Sequence, residues 1–126
     1  MENRYLFRGK RIDNGEWVIG AVLFHDDATT IFNQHPADGS LQGFEVNIKT
    51  ICQCTGREDM NGKLIWENDV IRCNYETSIV KWEKSEWRIK WIDEAVWRRD
   101  LDYWVNESKR EVNVVGNIFD NPELLE

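Results

Sequence analysis

The sequence predicts a mostly β fold, or at most a β-rich α+β fold. The expected architecture is an antiparallel small barrel or roll of SH3-like type, with a smaller N-terminal β lobe and one short helix near 94–105. Three observations predict it. Short runs rich in Val, Ile, Thr, Phe and Trp recur along the chain. Asn-Gly and related turn dipeptides separate these runs. The two prolines and the absence of low-complexity segments leave room for many strands.

In the N-terminal half, short strands are expected between turn signals. Asn14-Gly15 favours a tight turn because both residues tolerate positive φ. Segment 33–43 contains Pro36, Gly39 and Gly43 and is predicted to be a surface loop. The predicted strands are 5–8, 16–24, 29–32, 44–48 and 50–54.

The C-terminal half shows the same pattern with tighter spacing. Asn61-Gly62 and segment 67–69 predict two turns, and a hairpin follows at 78–91. The alternation within this hairpin predicts that Trp82, Trp87 and Trp91 face inward. The predicted strands are 63–66, 70–73, 78–82, 86–91 and 111–119, followed by a helical turn at 121–125.

Segment 94–105 departs from the period of two. Trp97, Leu101, Trp104 and Val105 are spaced as one face of a helix, and Asp93 could cap it. Trp97 and Trp104 either cover the predicted barrel or contact a partner, because interface cores favour Trp.

Charge and composition restrict the class of protein. The 126 residues include 16 Lys and Arg and 23 Asp and Glu, which gives a net charge of −7. An acidic surface repels phosphate backbones, so nucleic acid is an unfavoured partner. The charged N-terminus, the absence of long apolar runs and the three cysteines predict a protein of the cytoplasm without a membrane anchor.

Three sequence blocks, in this order and spacing, resemble the YopX family of phage and prophage proteins. The blocks are Phe7-Arg8-Gly9-Lys10-Arg11 with Gly15-Glu16-Trp17-Val18-Ile19-Gly20, then Gln53-Cys54-Thr55-Gly56 with Asn61-Gly62-Lys63-Leu64-Ile65-Trp66-Glu67-Asn68-Asp69-Val70-Ile71, and then Val115-Gly116-Asn117-Ile118-Phe119-Asp120-Asn121-Pro122-Glu123-Leu124-Leu125.

The resemblance implies one domain over 1–126, which the strand spacing divides into approximate sub-lobes at 1–50 and 51–126. It also implies an SH3-type barrel, a phage or prophage origin and self-association. It carries over no catalytic residue. Cys54 stands where the family more often has an aromatic residue, and Asn68 where it more often has Gly.

The cysteines and histidines are the candidate metal ligands and nucleophiles of the chain. Cys52, Cys54 and Cys73 could form a zinc site with His25 or His35. The Cys-x-Cys spacing does not match the usual zinc knuckle, and cysteines are commonly buried. The sequence also lacks a nucleophile elbow, so it predicts no enzyme, metal site or cofactor.

Four basic residues on neighbouring predicted strands form a candidate nucleic-acid face: Arg72, Lys81, Arg88 and Lys90. The alternative is that these are ordinary charges on the solvent side of a sheet.

Together these observations predict an interaction or assembly module that is not an enzyme and that forms a homo-oligomer in the cytoplasm of a bacterial host. The alternatives are a nucleic-acid-binding module or an acidic protein that binds a basic host protein. A host or phage protein remains an open partner, and no small-molecule substrate is identified.

Overall fold

The computed structural model describes residues 3–73, 76–83, 86–91, 97–101, 105 and 111–125. Most of these residues lie in strands of two antiparallel sheets, which confirms the mostly β class. Within these described ranges, three 3₁₀ turns flank the strands, at Asn3–Tyr5, Ile48–Thr50 and Pro122–Leu125. The strands are β1 Phe7–Lys10, β2 Trp17–His25, β3 Ala28–Gln34, β4 Leu41–Val46, β5 Cys52–Glu58, β6 Leu64–Trp66, β7 Asp69–Cys73, β8 Glu76–Glu83, β9 Glu86–Trp91, β10 Trp97–Asp100 and β11 Val112–Asn117.

The chain divides into two compact units, Met1–Cys54 and Thr55–Glu126, and the division falls within β5. In the first unit β1 to β4 form an antiparallel meander, and β5 pairs with the free side of β1. The hydrogen-bonded order of the first sheet is therefore β4-β3-β2-β1-β5. An isolated bridge joins Arg11, just after β1, to Val46 at the end of β4.

The core of the first unit lies on one side of this sheet. Val18, Ile31 and Val46 are buried there, and Val22, Phe44 and Ile51 pack against them. Gly20 allows β2 and β3 to approach closely, since a Cβ at this position would lie 2.1 Å from the carbonyl oxygen of Phe32.

The second unit has its own sheet, in the order β10-β9-β8-β7-β11. Seven apolar side chains form its buried core, with Trp87, Val105 and Val114 packed around them. These core residues are Ile65, Ile71, Cys73, Val80, Ile89, Leu101 and Val112.

Turn chemistry agrees with the sequence. Gly15 and Gly62 have φ values of 73° and 80°, and Asn68 has a φ of 69°. These positive angles are those that Gly and Asn adopt more readily than other residues.

The predicted helix near 94–105 is wrong for residues 97–100, whereas Leu101 and Val105 of the same segment are helical. Residues Trp97–Asp100 form β10, which pairs with the edge of β9. Leu101 is fully buried and Val105 packs on the second core, so the apolar period identified core positions correctly. The open edge of β9 offers backbone hydrogen bonds, and such tertiary pairing overrides local helical preference. Asp93, Trp104 and the rest of the segment lie outside the described residues.

Three other expectations need correction. Among the described strands neither sheet closes into a barrel. The predicted loop at 33–43 is shorter, because β3 and β4 pair from Gln34 with Leu41 onward. Trp82 is 54% exposed rather than inward, since it lies near the tip of the β8–β9 hairpin, beyond the core. There it makes an edge contact with Trp87, with ring centroids 5.0 Å apart.

Candidate functional site

The four predicted basic residues share one face of the second sheet, which we call the basic face. Lys81 on β8 pairs with Arg88 on β9, and Lys90 pairs with Ile79. Arg72 on β7 pairs with Thr77. Directly paired residues point to the same side of an antiparallel sheet. The opposite side carries the buried core, so the alternation predicted the side correctly.

The basic face is interrupted by other groups. Arg88 Nε lies 3.6 Å from Glu86 Oε1, and Lys81 Nζ donates to Asn68 Oδ1. On the same face, the directly paired residues Val70 and Ile79 lie between Arg72 and Lys81. Val70 is fully buried and Ile79 is half-buried. Four residues along a strand span about 13 Å, so Arg72 is distant from Lys81 and its partner Arg88. Lys90 pairs with Ile79 and lies two strands from Arg72.

The thiols lie in the interior. Cys52, Cys54 and Cys73 are all buried, and Cys52 Sγ donates to the Thr50 carbonyl oxygen at 3.2 Å. His25 and His35 are exposed at opposite ends of the β2–β3 part of the first sheet. Within the described ranges, no group of three or more His, Cys, Asp or Glu side chains is placed to hold a metal ion.

A surface that the sequence reading missed lies on the outer side of the first sheet. On β2, Ile19, Ala21 and Leu23 alternate with residues of the buried side, and Phe32 on β3 pairs with Ala21. Phe32 pairs with Gly43 on β4, and Leu41 lies two residues from Gly43 on the same side of the sheet. Ile19, Leu23 and Leu41 are 44%, 52% and 73% exposed. We call Ile19, Ala21, Leu23, Phe32 and Leu41 the apolar face.

The signal for the apolar face was present in the sequence. Residues 17–24 are apolar at nearly every position, whereas a strand with one side in water normally alternates with polar residues. A strand apolar on both sides predicts that both sides are covered in the working molecule.

The second unit contains a buried carboxylate at the β5–β6 turn. Asp59 Oδ1 accepts the N–H groups of Asn61 and Lys63, both at 2.9 Å, and Oδ2 accepts that of Val114 at 3.0 Å. Burial alone would raise the pKa of Asp59, but these three donors and the nearby Lys63 charge keep it below the usual value. With both oxygens engaged by backbone, Asp59 serves the structure rather than acid–base chemistry.

Of the two tryptophans proposed as a partner contact, Trp97 lies among the described residues and Trp104 does not. The backbone of Trp97 lies in β10, where it pairs with Lys90.

A comparison with protein families decides the relationship of this chain. A family model described as YopX protein matches residues 6–126. The chain belongs to the YopX family. None of the curated proteins compared with it gives a significant match.

The blocks that carry the YopX resemblance have structural roles here. Gly116 lies against Asn121, whose Oδ1 would be 2.4 Å from a Cβ at residue 116. Asn117 N–H donates to the same Oδ1 at 3.2 Å. Asn68, where the family more often has Gly, has the positive φ that Gly adopts without strain. In this YopX-family chain these signature residues shape turns and strand ends.

In the described part of the chain, no helix is long and apolar enough to cross a membrane.

Proposed function

We propose that this YopX-family protein is an interaction or assembly module without catalytic activity, and that it self-associates. Its setting would be a phage or prophage whose product works in the cytoplasm of the bacterial host. The observation that supports self-association is the apolar face, because large apolar side chains grouped on an exposed sheet face typically mark an interaction surface. Covering such area contributes about 25 cal/mol per Å² of apolar surface.

The first test changes an exposed residue of the apolar face. Leu23→Lys is expected to weaken self-association by at least about tenfold, because each copy would bury a charge. Sedimentation velocity over a range of protein concentrations measures the effect. The matched control is Ile48→Lys, since Ile48 is 59% exposed but lies in a 3₁₀ turn away from this face. A monomeric wild-type protein at the highest soluble concentration would refute self-association.

Support for a role without catalysis comes from the thiols and carboxylates. Cys52, Cys54 and Cys73 are buried, and the Asp59 carboxylate is engaged by three backbone donors. Buried thiols are poor nucleophiles because reactivity requires an accessible thiolate.

The second candidate function is nucleic-acid binding, favoured by the common side of Lys81, Arg88 and Lys90. The test is fluorescence anisotropy with single- and double-stranded oligonucleotides at low salt. If this function holds, Lys81→Glu with Lys90→Glu abolishes binding, whereas Lys49→Glu on the first unit has little effect. No binding by the wild-type protein at low salt would exclude this candidate.

A host or phage protein is the third kind of partner, and the net charge of −7 favours a basic one. Capture from lysogenic cells, followed by release with salt, would identify it.

A further inference from the structure

We infer that two copies of the chain pair edge to edge along β4, antiparallel and with the two-fold axis at Gln42. This inference rests on the proposed self-association and states how the first contact is made. β4 is the last strand in the order of the first sheet, so one of its sides faces away from β3. Edge strands of this kind are templates for pairing with another chain.

Two hydrogen bonds show which backbone N–H and C=O groups of β4 point away from β3. Ile12 N–H donates to the Glu45 carbonyl oxygen at 3.0 Å, on the side of β4 away from β3. Backbone groups of residues two apart on a strand point to the same side. The N–H and C=O groups of Gly43 and Leu41 therefore also point outward. At the other end of β4, His35 N–H donates to the Ser40 carbonyl oxygen at 2.8 Å, so this group of Ser40 points toward β3. The groups of the next residue, Leu41, therefore point away from β3.

This outward stretch is self-complementary. An axis at Gln42 places Leu41 opposite Gly43 of the second copy, and these two residues exchange both backbone hydrogen bonds. Gly43 has no side chain, and the Phe32 ring lies beside it, with Cε1 2.7 Å from the position of a Cβ. The highly exposed Leu41 side chain would thus cover Gly43 and touch Phe32 of the second copy. The symmetry makes each of these contacts twice.

The short length of the free edge sets the strength of the pair. Beyond Gly43 the edge is already occupied, since Ile12 bonds to Glu45 and Arg11 bridges to Val46. Pairing over Leu41 to Gly43 buries less than about 1,200 Å² in total, which is the size of a weak or transient interface. The pair would join two copies of the apolar face into one continuous surface, which further copies or partners could cover.

A single cysteine at the axis tests the pairing. Gln42 and its symmetry mate would form a non-hydrogen-bonded pair with Cα atoms about 4.5 Å apart, within the range of about 4.4–6.8 Å for a disulfide. Oxidised glutathione should convert Gln42→Cys into a disulfide-linked dimer. The background is low because the three native cysteines are buried.

Glu45→Cys is the control. It is an exposed position of the same strand, but its symmetry mate would lie about 20 Å away along the strand direction. Crosslinking of Gln42→Cys is expected to be at least about tenfold faster, because pairing raises the effective thiol concentration. Leu23→Lys, two strands from the edge, should leave this crosslink intact, whereas Leu41→Pro removes an outward N–H and should suppress it.

The wild-type protein provides a second readout that needs no variant. Hydrogen exchange at the Leu41 and Gly43 amides should slow as protein concentration rises. Equal crosslinking at positions 42 and 45, or exchange independent of concentration in a protein that still self-associates, would overturn the edge pairing and leave the proposed function standing. A wild-type protein that is monomeric throughout would overturn both.

Discussion

At the scale of the residue, Asn68 shows how one side chain serves a turn that other residues would strain. Its φ is 69°, its N–H donates to the Val80 carbonyl oxygen at 2.9 Å, and its own carbonyl accepts from Ile118 N–H at 3.1 Å. Its side-chain oxygen accepts from Lys81 Nζ. Asn compensates for the left-handed backbone with side-chain bonding, which Gly does not need.

Replacement of Asn68 separates these two effects. Asn68→Ala should destabilise the protein by about 1–2 kcal/mol, because Ala has the cost of left-handed backbone without the side-chain bond. Asn68→Gly should cost less than Asn68→Ala, since Gly relieves the strain. Urea unfolding of both variants measures the difference. An Ala variant as stable as the Gly variant would contradict the assignment.

At the scale of the element, the β5–β6 turn covers the outer edge of β11. Met60 N–H donates to the Val112 carbonyl oxygen at 3.0 Å, and Asp59 Oδ2 accepts the N–H of Val114. β11 ends the order of the second sheet, so these bonds satisfy edge groups that would otherwise be open to pairing with another chain.

Asp59→Asn should therefore destabilise the protein at neutral pH by about 1–3 kcal/mol. The side-chain amide nitrogen of Asn is a donor, and it would face the backbone N–H of Val114 or those of Asn61 and Lys63, which are also donors. The lowered pKa of Asp59 in the folded state means that its contribution is present above the unfolded pKa of about 3.9. It is lost as pH falls through the lower folded pKa.

Thermal unfolding at several pH values checks this expectation. The gap between the wild-type protein and Asp59→Asn should narrow as the medium is acidified below about pH 4. A gap that stays constant across that range would show that the carboxylate charge is not responsible. Glu58→Gln is the control, since it is exposed and adjacent in sequence.

At the scale of the whole molecule, net charge separates the two leading functions. With a charge of −7 on each copy, self-association works against repulsion and should strengthen or stay level as salt is added. Nucleic-acid binding should weaken steeply with salt, because it releases counterions from phosphates. The same salt series, applied to sedimentation and to anisotropy, therefore gives opposite signs for the two functions.

Much of the fold could be predicted from local chemistry. Gly15, Gly62 and Asn68 marked turns, and the alternation of Trp87 with Arg88 and of Ile89 with Lys90 set the sides of β9. Such signals are local, because each depends on a few adjacent residues. The same alternation predicts the basic face. The apolar face was not predicted, although residues 17–24 are apolar at nearly every position.

The strand-rich class, the turn positions, the family and the sides of most strands follow from the order of amino acids, since strand period and turn chemistry depend on neighbouring residues. The pairing of Trp97–Asp100 as a strand and the exposure of Trp82 depend instead on tertiary contacts. The position of β4 at the end of its sheet, with Leu41 and Gly43 directed outward, also depends on these contacts. The reason is that pairing partners and sheet edges depend on segments distant in sequence, which no local pattern encodes.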